Sequence, residues 1–279
     1  MSVEHSLRQW LKKSPSLVEF VKRMRATRRD SAQAAVKMGL REQDGYLLSV
    51  YGVWMRDRWD DLTYRACVQG LYGFFYADWL REQEDCILLD IGANMGLYSL
   101  IACKNPGVRA VYAFEPVPET FRYLVDNLKR NGANRCTACP VGIALTAEKL
   151  KISTKERHSG ASTFRTDRLS EVGFDSQTTV DVVGPDYLNA VVDASLASRI
   201  VAKIDVEGYE QVVIEALRRS RFWPLVTTIY LEVNDLYMKV HPVLRQLEAD
   251  GFSVIKQIGA GRIYDLMVQR SPTGAPRTV

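Results

Sequence analysis

The chain has 279 residues, 47% of them hydrophobic and 25% charged, with a formal net charge of +4 at pH 7. That length and balance suit one large globular domain, or a domain with an appendage, and exclude a low-complexity or collagen-like chain. The longest uncharged stretches, 91–103 and 66–77, fall far short of the roughly 20 apolar residues of a membrane-spanning helix, and the N-terminus lacks the apolar core and cleavage site of a secretory signal.

The first 44 residues carry ten Lys or Arg against five Asp or Glu, and the remainder 27 against 28, so the positive balance belongs to the leader. A basic amphipathic leader suits either a solvated helix face or contact with an acidic membrane surface or nucleic acid. Its apolar residues share helical faces: Leu7, Trp10 and Leu11, then Leu17, Val21 and Met24, with a restart at Pro15. Residues 44–55, DGYLLSVYGVWM, read as a strand or hairpin that opens on a turn dipeptide. Residues 62–80 read as one helix rich in aromatics (Tyr72, Phe74, Phe75, Tyr76, Trp79). The expected division is a mainly helical extension over 1–80 and a main domain over 81–279.

From residue 86 the pattern changes to short apolar strands alternating with helices. CILLDI, VRAVYAFE, CTACPVGIAL (136–145), RIVAKIDV and TTIYLEVN are the strands. Helices are expected over 95–103, 118–132, 207–220 and 241–251, and FSVIKQI with IYDLMVQR forms a closing antiparallel pair. Alternation of this kind predicts a mostly parallel sheet with helices on both faces. Residues 148–183 read as an inserted hairpin over one edge. The five cysteines are an odd number in a chain able to build its own core, which predicts reduced thiols and a cytoplasmic setting. Cys136 and Cys139 form a C-x-x-C, but no second pair or spaced His completes a zinc site.

Within this alternation, LLDIGANMGLYSLIA (88–102) is an apolar run ending in an acid, then two glycines, then an apolar helix. In a doubly wound sheet such a turn faces the ligand crevice. Gly92 and Gly96 remove Cβ atoms where backbone must approach a bound molecule, and the helix start presents free N–H groups. About two dozen residues on, Glu115 ends the next strand, placed to accept hydrogen bonds from ribose hydroxyls. The dinucleotide fingerprint fails at Asn94 and Leu97, and no Walker A sequence follows. Asp90, read as pointing its carboxylate into the crevice, would repel a pyrophosphate and attract an amino group or a sulfonium. The expected cofactor is S-adenosylmethionine.

These stretches resemble the FkbM-type S-adenosylmethionine-dependent methyltransferases. The resemblance rests on LLDIGANMGLYSLIA, VYAFEPVPETFRYLVDNLKRNG and IVAKIDVEGYE, in that order, and covers about residues 70–260. It implies a class I, Rossmann-like methyltransferase fold, a doubly wound and mostly parallel seven-stranded sheet whose last strand is antiparallel. It implies methyl transfer to a hydroxyl oxygen of a sugar, glycolipid or polyketide. Carried over by residue, it sets Asp90, Gly92, Asn94 and Gly96 around the methionine end of the cofactor and Glu115 on the ribose. Val141 and Gly142 would offer only main-chain bonds to the adenine ring.

The fourth strand ends in charge. Lys203 and Asp205 lie two apart and so on one side of the strand. Buried charges cost several kcal/mol each unless paired, roughly, which favours the crevice end of the strand, near cofactor and acceptor, or a structural Lys203–Asp205 pair. Glu207 and Glu210 open the next helix, where capping competes with catalysis. Removing a hydroxyl proton calls for a base, and the candidates are Asp205, Glu232, His158 in the insert, and His241. Lys203 joins the catalytic candidates. Asp205, Glu232 and Asn234 could instead hold Mg²⁺, although no metal is required by the resemblance. A nucleic-acid methyltransferase is disfavoured because strand four ends in DVEG rather than an Asp/Asn-Pro-Pro-aromatic run. The expected acceptor is a small molecule or carbohydrate.

Overall fold

The computed structural model describes residues 39–165, 173–235 and 238–271. The apolar faces read in the leader lie outside them. The chain divides into two compact units, Met1–Leu47 and Leu48–Val279. β1 (Glu42–Gln43) and β2 (Tyr46–Leu48) form an antiparallel hairpin. Its two turn residues, Asp44 (φ 54°) and Gly45 (φ 77°), are both left-handed, as a tight two-residue hairpin turn requires.

The larger unit begins with β3 (Trp54–Arg56), α1 (Leu62–Gln69) and α2 (Phe75–Arg81). The single helix expected over 62–80 is thus two. Asp61 caps the start of α1 by accepting the Tyr64 N–H at 2.9 Å. Gly70, left-handed at φ 79°, ends it by returning its N–H to the Ala66 carbonyl. Both helices lie inside the larger unit, although the sequence division assigned them to the extension.

The alternation that follows is β4 (Cys86–Ile91), α3 (Leu97–Lys104), β5 (Val108–Phe114), α4 (Pro118–Arg130) and β6 (Cys136–Cys139). After the insert come α5 (Pro185–Val191), β10 (Arg199–Ile204), α6 (Glu210–Arg218), β11 (Val226–Asn234), α7 (Val240–Ala249), β12 (Phe252–Ile258) and β13 (Ile263–Arg270). The main sheet has seven strands in the order β12-β13-β11-β10-β4-β5-β6. β6, β5, β4, β10 and β11 are mutually parallel, and β13 is antiparallel to both of its neighbours. All six residues of β4 are buried, the pattern of a central strand covered on both faces. The chain order reverses at β4, so the crevice beyond its carboxyl end is the topological switch point.

The strand expected over 136–145 is interrupted. β6 stops before Pro140, which cannot donate to a ladder. Residues Gly142–Ile143 form β7, which leaves the main sheet and pairs with β9 (Ser176–Val183). β9 also pairs antiparallel with β8 (Glu148–Thr154), so the insert is a hairpin held in a separate three-stranded sheet. α5 went unread in the sequence; Leu188 alone of its seven residues is buried, too little for a periodic signal. All five cysteines are free thiols. No helix among the described residues is long and apolar enough to cross a membrane.

Candidate active site

The turn after β4 has little freedom. Gly92 sits at φ 74°, and a Cβ there would lie 1.8 Å from the Asp205 carbonyl oxygen. The ends of β4 and β10 approach too closely for any side chain. The Gly92 and Ala93 amides both donate to the Phe114 carbonyl at 3.0 Å, fixing the turn against β5 as well. Asn94 is left-handed at φ 50°. Its N–H donates to Glu115 Oε2 at 2.9 Å, and its side-chain oxygen accepts the Met95 N–H at 2.9 Å.

A cavity of about 290 Å³ opens beyond these strand ends. Gly92, Asn94, Glu115, Lys203, Asp205, Glu232 and His158 of the sequence-predicted residues line it. Asp90, Gly96, Val141 and Gly142 do not. Asp90 is 1% exposed and turned into the protein, where one oxygen accepts the Ser99 N–H at 3.0 Å and the Ser99 hydroxyl at 2.6 Å. Its other oxygen has no hydrogen bond and lies 3.6 Å from Lys203 Nζ. The carboxylate read as facing a ligand is already matched by an internal ammonium. Gly96 caps α3 and packs against Leu124. Val141 is in the main core, and Gly142 backs onto Val182 and Phe164, so neither reaches the cavity. Phe164, which does line it, takes that wall with Pro116, Val117 and Ile152.

Glu115 is 5% exposed, and burial pushes its carboxyl up to about 7 against the pull of the Val117 and Asn94 amides. Each oxygen accepts one backbone N–H, at 2.9 Å. A carboxylate has about four lone-pair sites, so acceptor capacity is left for a ligand.

Across the cavity, Lys203 is 4% exposed and reaches three groups: the Gly92 carbonyl at 3.0 Å, Asp205 at 3.1 Å and Asp90. Burial opposes its charge, but Asp205 and Asp90 outweigh burial and raise its pKa. Asp205 is the more open partner, its side chain 36% exposed. Glu232 hydrogen-bonds to Asp205, and the Asp205 charge, reinforced by burial, holds its carboxyl well above the usual range. Burial and Asp205 push Glu207 up to about 8. Asp265, which accepts the Tyr230 hydroxyl at 2.8 Å, is raised by burial.

Asp205, Glu207 and Glu232 each bring a carboxylate oxygen within 4.8 Å of the others. Among the described residues these three carboxylates could hold a divalent cation, and Asn234, named from the sequence with Asp205 and Glu232, hydrogen-bonds Glu207. Lys203 already supplies a positive charge beside them. Glu210 is a cap, accepting the Gly208 N–H at 2.9 Å, whereas Glu207 lines the cavity and is left-handed at φ 47°. Burial lowers the His158 pKa, against the Asp61 charge. His241 lies on a separate groove along α7.

Thr63, Cys67, Tyr72, Tyr98, Tyr230 and Asp265 also line the cavity and were not assigned to it from sequence. Tyr76, whose ring stacks on Tyr230 at 3.9 Å between centroids, is the buried support beneath. Only the pairing of β11 with β13 brings Asp265 opposite Glu232.

Residues 90–254 match the model of the methyltransferase FkbM domain. The chain belongs to the FkbM methyltransferase family. The match runs from the end of β4 into β12 and includes Glu115, Lys203, Asp205, Glu207 and Glu232, and the chain is a methyltransferase. Among its relatives, 31-O-demethyl-FK506 methyltransferase FkbM of Streptomyces tacrolimicus is 26% identical over 198 residues, covering 61% of this chain and 74% of that protein. The hexuronic acid methyltransferase AglP of Haloferax volcanii is 26% identical over 161 residues, 58% of each chain. The crystal structure of methyltransferase FkbM from Methylobacillus flagellatus KT aligns with a TM-score of 0.46 at 16% identity, covering 67% of this chain and 43% of that one.

Proposed function

We propose that the FkbM domain transfers the methyl group of S-adenosylmethionine to a hydroxyl oxygen of a sugar or polyketide-type acceptor. The observation that carries the reading is one cavity with two unlike carboxylate walls, Glu115 at the end of β5 and Asp205 with Lys203 at the end of β10. The relatives' names support the acceptor class, one naming an oxygen of FK506 and the other a hexuronic acid.

The donor set fits the cofactor. Glu115 retains acceptor sites for the ribose hydroxyls, and Pro116, Val117, Ile152 and Phe164 form an apolar slot for a flat ring. When bound, S-adenosylmethionine supplies an electrophilic methyl group on a cationic sulfur. The chain's part is positioning and proton removal. Asp205 accepts the acceptor's hydroxyl proton as that oxygen bonds the methyl carbon and the carbon–sulfur bond breaks. Lys203 holds Asp205 in place, and Glu232 steadies it by hydrogen bond.

Asp205→Asn leaves cofactor affinity within a few-fold and lowers turnover about 10²–10⁴-fold, the usual worth of a general base. Glu232→Gln, which keeps a hydrogen-bond donor toward Asp205, costs far less. Labelled S-adenosylmethionine incubated with the protein and a cell extract, with mass spectrometry of whatever gains a methyl group, measures both. Turnover by Asp205→Asn at the wild-type rate removes Asp205 as the base, and loss of activity on chelation transfers the role to a cation held by Asp205, Glu207 and Glu232.

Glu115 sets a pH dependence for binding. Ribose hydroxyls donate to the ionised carboxylate, so cofactor affinity rises with pH through about 7 and then levels. Binding at pH 6.5 releases a proton from Glu115, visible in calorimetry as a dependence on buffer ionisation enthalpy. Glu115→Gln abolishes that part of the release, and an unchanged pH profile in this variant rules out the ribose role.

A further inference from the structure

We infer that Ser159, in the insert, is a positioning residue for the cofactor turn, acting together with Asp61 through Asn94. The inference rests on the S-adenosylmethionine reading and adds to it a clasp built from three parts of the chain.

Ser159 is 6% exposed and Asp61 1%. The Ser159 N–H donates to Asp61 Oδ2 at 2.8 Å, and the Ser159 hydroxyl lies 3.1 Å from Asp61 Oδ1 and 3.2 Å from the Asn94 side-chain oxygen. Asp61 has a second anchor, the Tyr64 N–H at the start of α1. The hydroxyl's one proton is shared between the Asp61 and Asn94 oxygens, so the hydroxyl bridges the capping carboxylate to Asn94. The Asn94 amide has a defined orientation, because its oxygen also accepts the Met95 N–H. Asn94 in turn presents its own N–H to Glu115. A continuous path thus runs from the cap of α1, through the tip of the insert, to the carboxylate proposed for the ribose.

The insert tip is fixed on both flanks. The Gly160 N–H donates to Thr63 Oγ1 at 2.8 Å, and the Thr163 hydroxyl donates to the Glu207 carbonyl at 2.6 Å. Ser159 is consequently delivered to Asn94 by a wall anchored elsewhere, and removing its hydroxyl leaves the wall standing. That separates a positioning role from a structural one. Asparagine tolerates the left-handed backbone at φ 50°, so what the Ser159 contact adds is a fixed direction for the Asn94 amide.

The test measures binding of S-adenosylhomocysteine and S-adenosylmethionine by calorimetry, so it needs no identified acceptor. Ser159→Ala weakens binding about 5- to 10-fold, the scale of one lost hydrogen bond at a polar site, with the thermal midpoint of the ligand-free protein within about a degree or two of wild type. Ser159→Cys, which keeps the side-chain size with a weak donor, shifts affinity in the same direction and serves if the alanine variant folds poorly. The decisive readout is a double-mutant cycle. Asn94→Gly keeps the left-handed backbone and the N–H to Glu115 while removing the amide side chain, so in that background Ser159→Ala costs nothing further. Unchanged affinity in Ser159→Ala, or the same loss in the Asn94→Gly background, overturns the inference. Failure of the wild-type protein to bind either ligand overturns instead the reading on which it stands.

Discussion

Gly92→Ala unfolds the switch point and abolishes cofactor binding. Two costs combine. A left-handed φ of 74° is unfavourable for alanine by about 1–2 kcal/mol. The added methyl would sit 1.8 Å from the Asp205 carbonyl oxygen, and backbone cannot swing aside as a side chain can, so relieving the overlap adds about 1–3 kcal/mol more. Either β4 and β10 part at their carboxyl ends, moving Asp205 and the Lys203 anchor on Gly92, or the turn leaves the Phe114 carbonyl. Denaturant unfolding is expected to show a loss of about 2–5 kcal/mol, the combined scale of those two costs, with no measurable S-adenosylmethionine binding by the folded fraction. Gly96→Ala is the control. Its new Cβ meets only the tip of the Leu124 side chain, at 2.5 Å, which can rotate away, so its overlap costs less even though its φ of 88° carries a similar backbone penalty. Equal stability of Gly92→Ala and wild type would mean that the close approach of the two strands does not exist in solution.

Lys203→Met should be the costliest change among the charged residues. It leaves Asp90, 1% exposed, with one carboxylate oxygen lacking both hydrogen bond and counter-charge. Breaking a buried pair from one side typically costs about 3–5 kcal/mol. It also removes the donor to the Gly92 carbonyl and frees Asp205. Activity is expected to fall with stability, which alone would not separate the two roles. The double variant Lys203→Met/Asp90→Asn does so. Removing both buried charges recovers most of the stability, since an uncharged pair carries little desolvation penalty, while turnover stays low because Asp205 has lost its anchor. A double variant no more stable than Lys203→Met, by denaturant midpoint, would show that Asp90 is not the partner that matters.

The Asp90 result bears on how cofactor preference is understood in this chain. Read along the sequence, an acid before a glycine turn looks like a charge offered to a cationic ligand. In the structure Ser99 and Lys203 take that charge. The acids that line the cavity are instead Asp205, Glu207, Glu232 and Asp265. Ser99 is the third residue of α3, and no periodicity marks it as the acid's partner.

Much of the fold was legible because its signals are local. CILLDI, FSVIKQI and IYDLMVQR are strands at their expected limits, since uninterrupted apolar or alternating runs depend on neighbours within a few residues. Where a local breaker was underweighted the reading failed, as at Gly70 within 62–80 and at Pro140 within 136–145. The site was legible in part for the same reason: Gly92, Asn94, Glu115, Lys203 and Asp205 end strands that converge, and strand ends are visible in sequence.

What the sequence by itself determined is the order of strands and helices, the acids and glycines that close them, and membership of the FkbM domain, because each depends on neighbours along the chain. What only the tertiary structure decided is which charges meet. Lys203 faces Asp90 from a strand more than a hundred residues away, Ser159 reaches Asn94 from an inserted hairpin, and Asp265 arrives opposite Glu232 by antiparallel pairing. Coulombic and hydrogen-bond energies depend on separation in space and on burial, and neither is encoded in spacing along the chain.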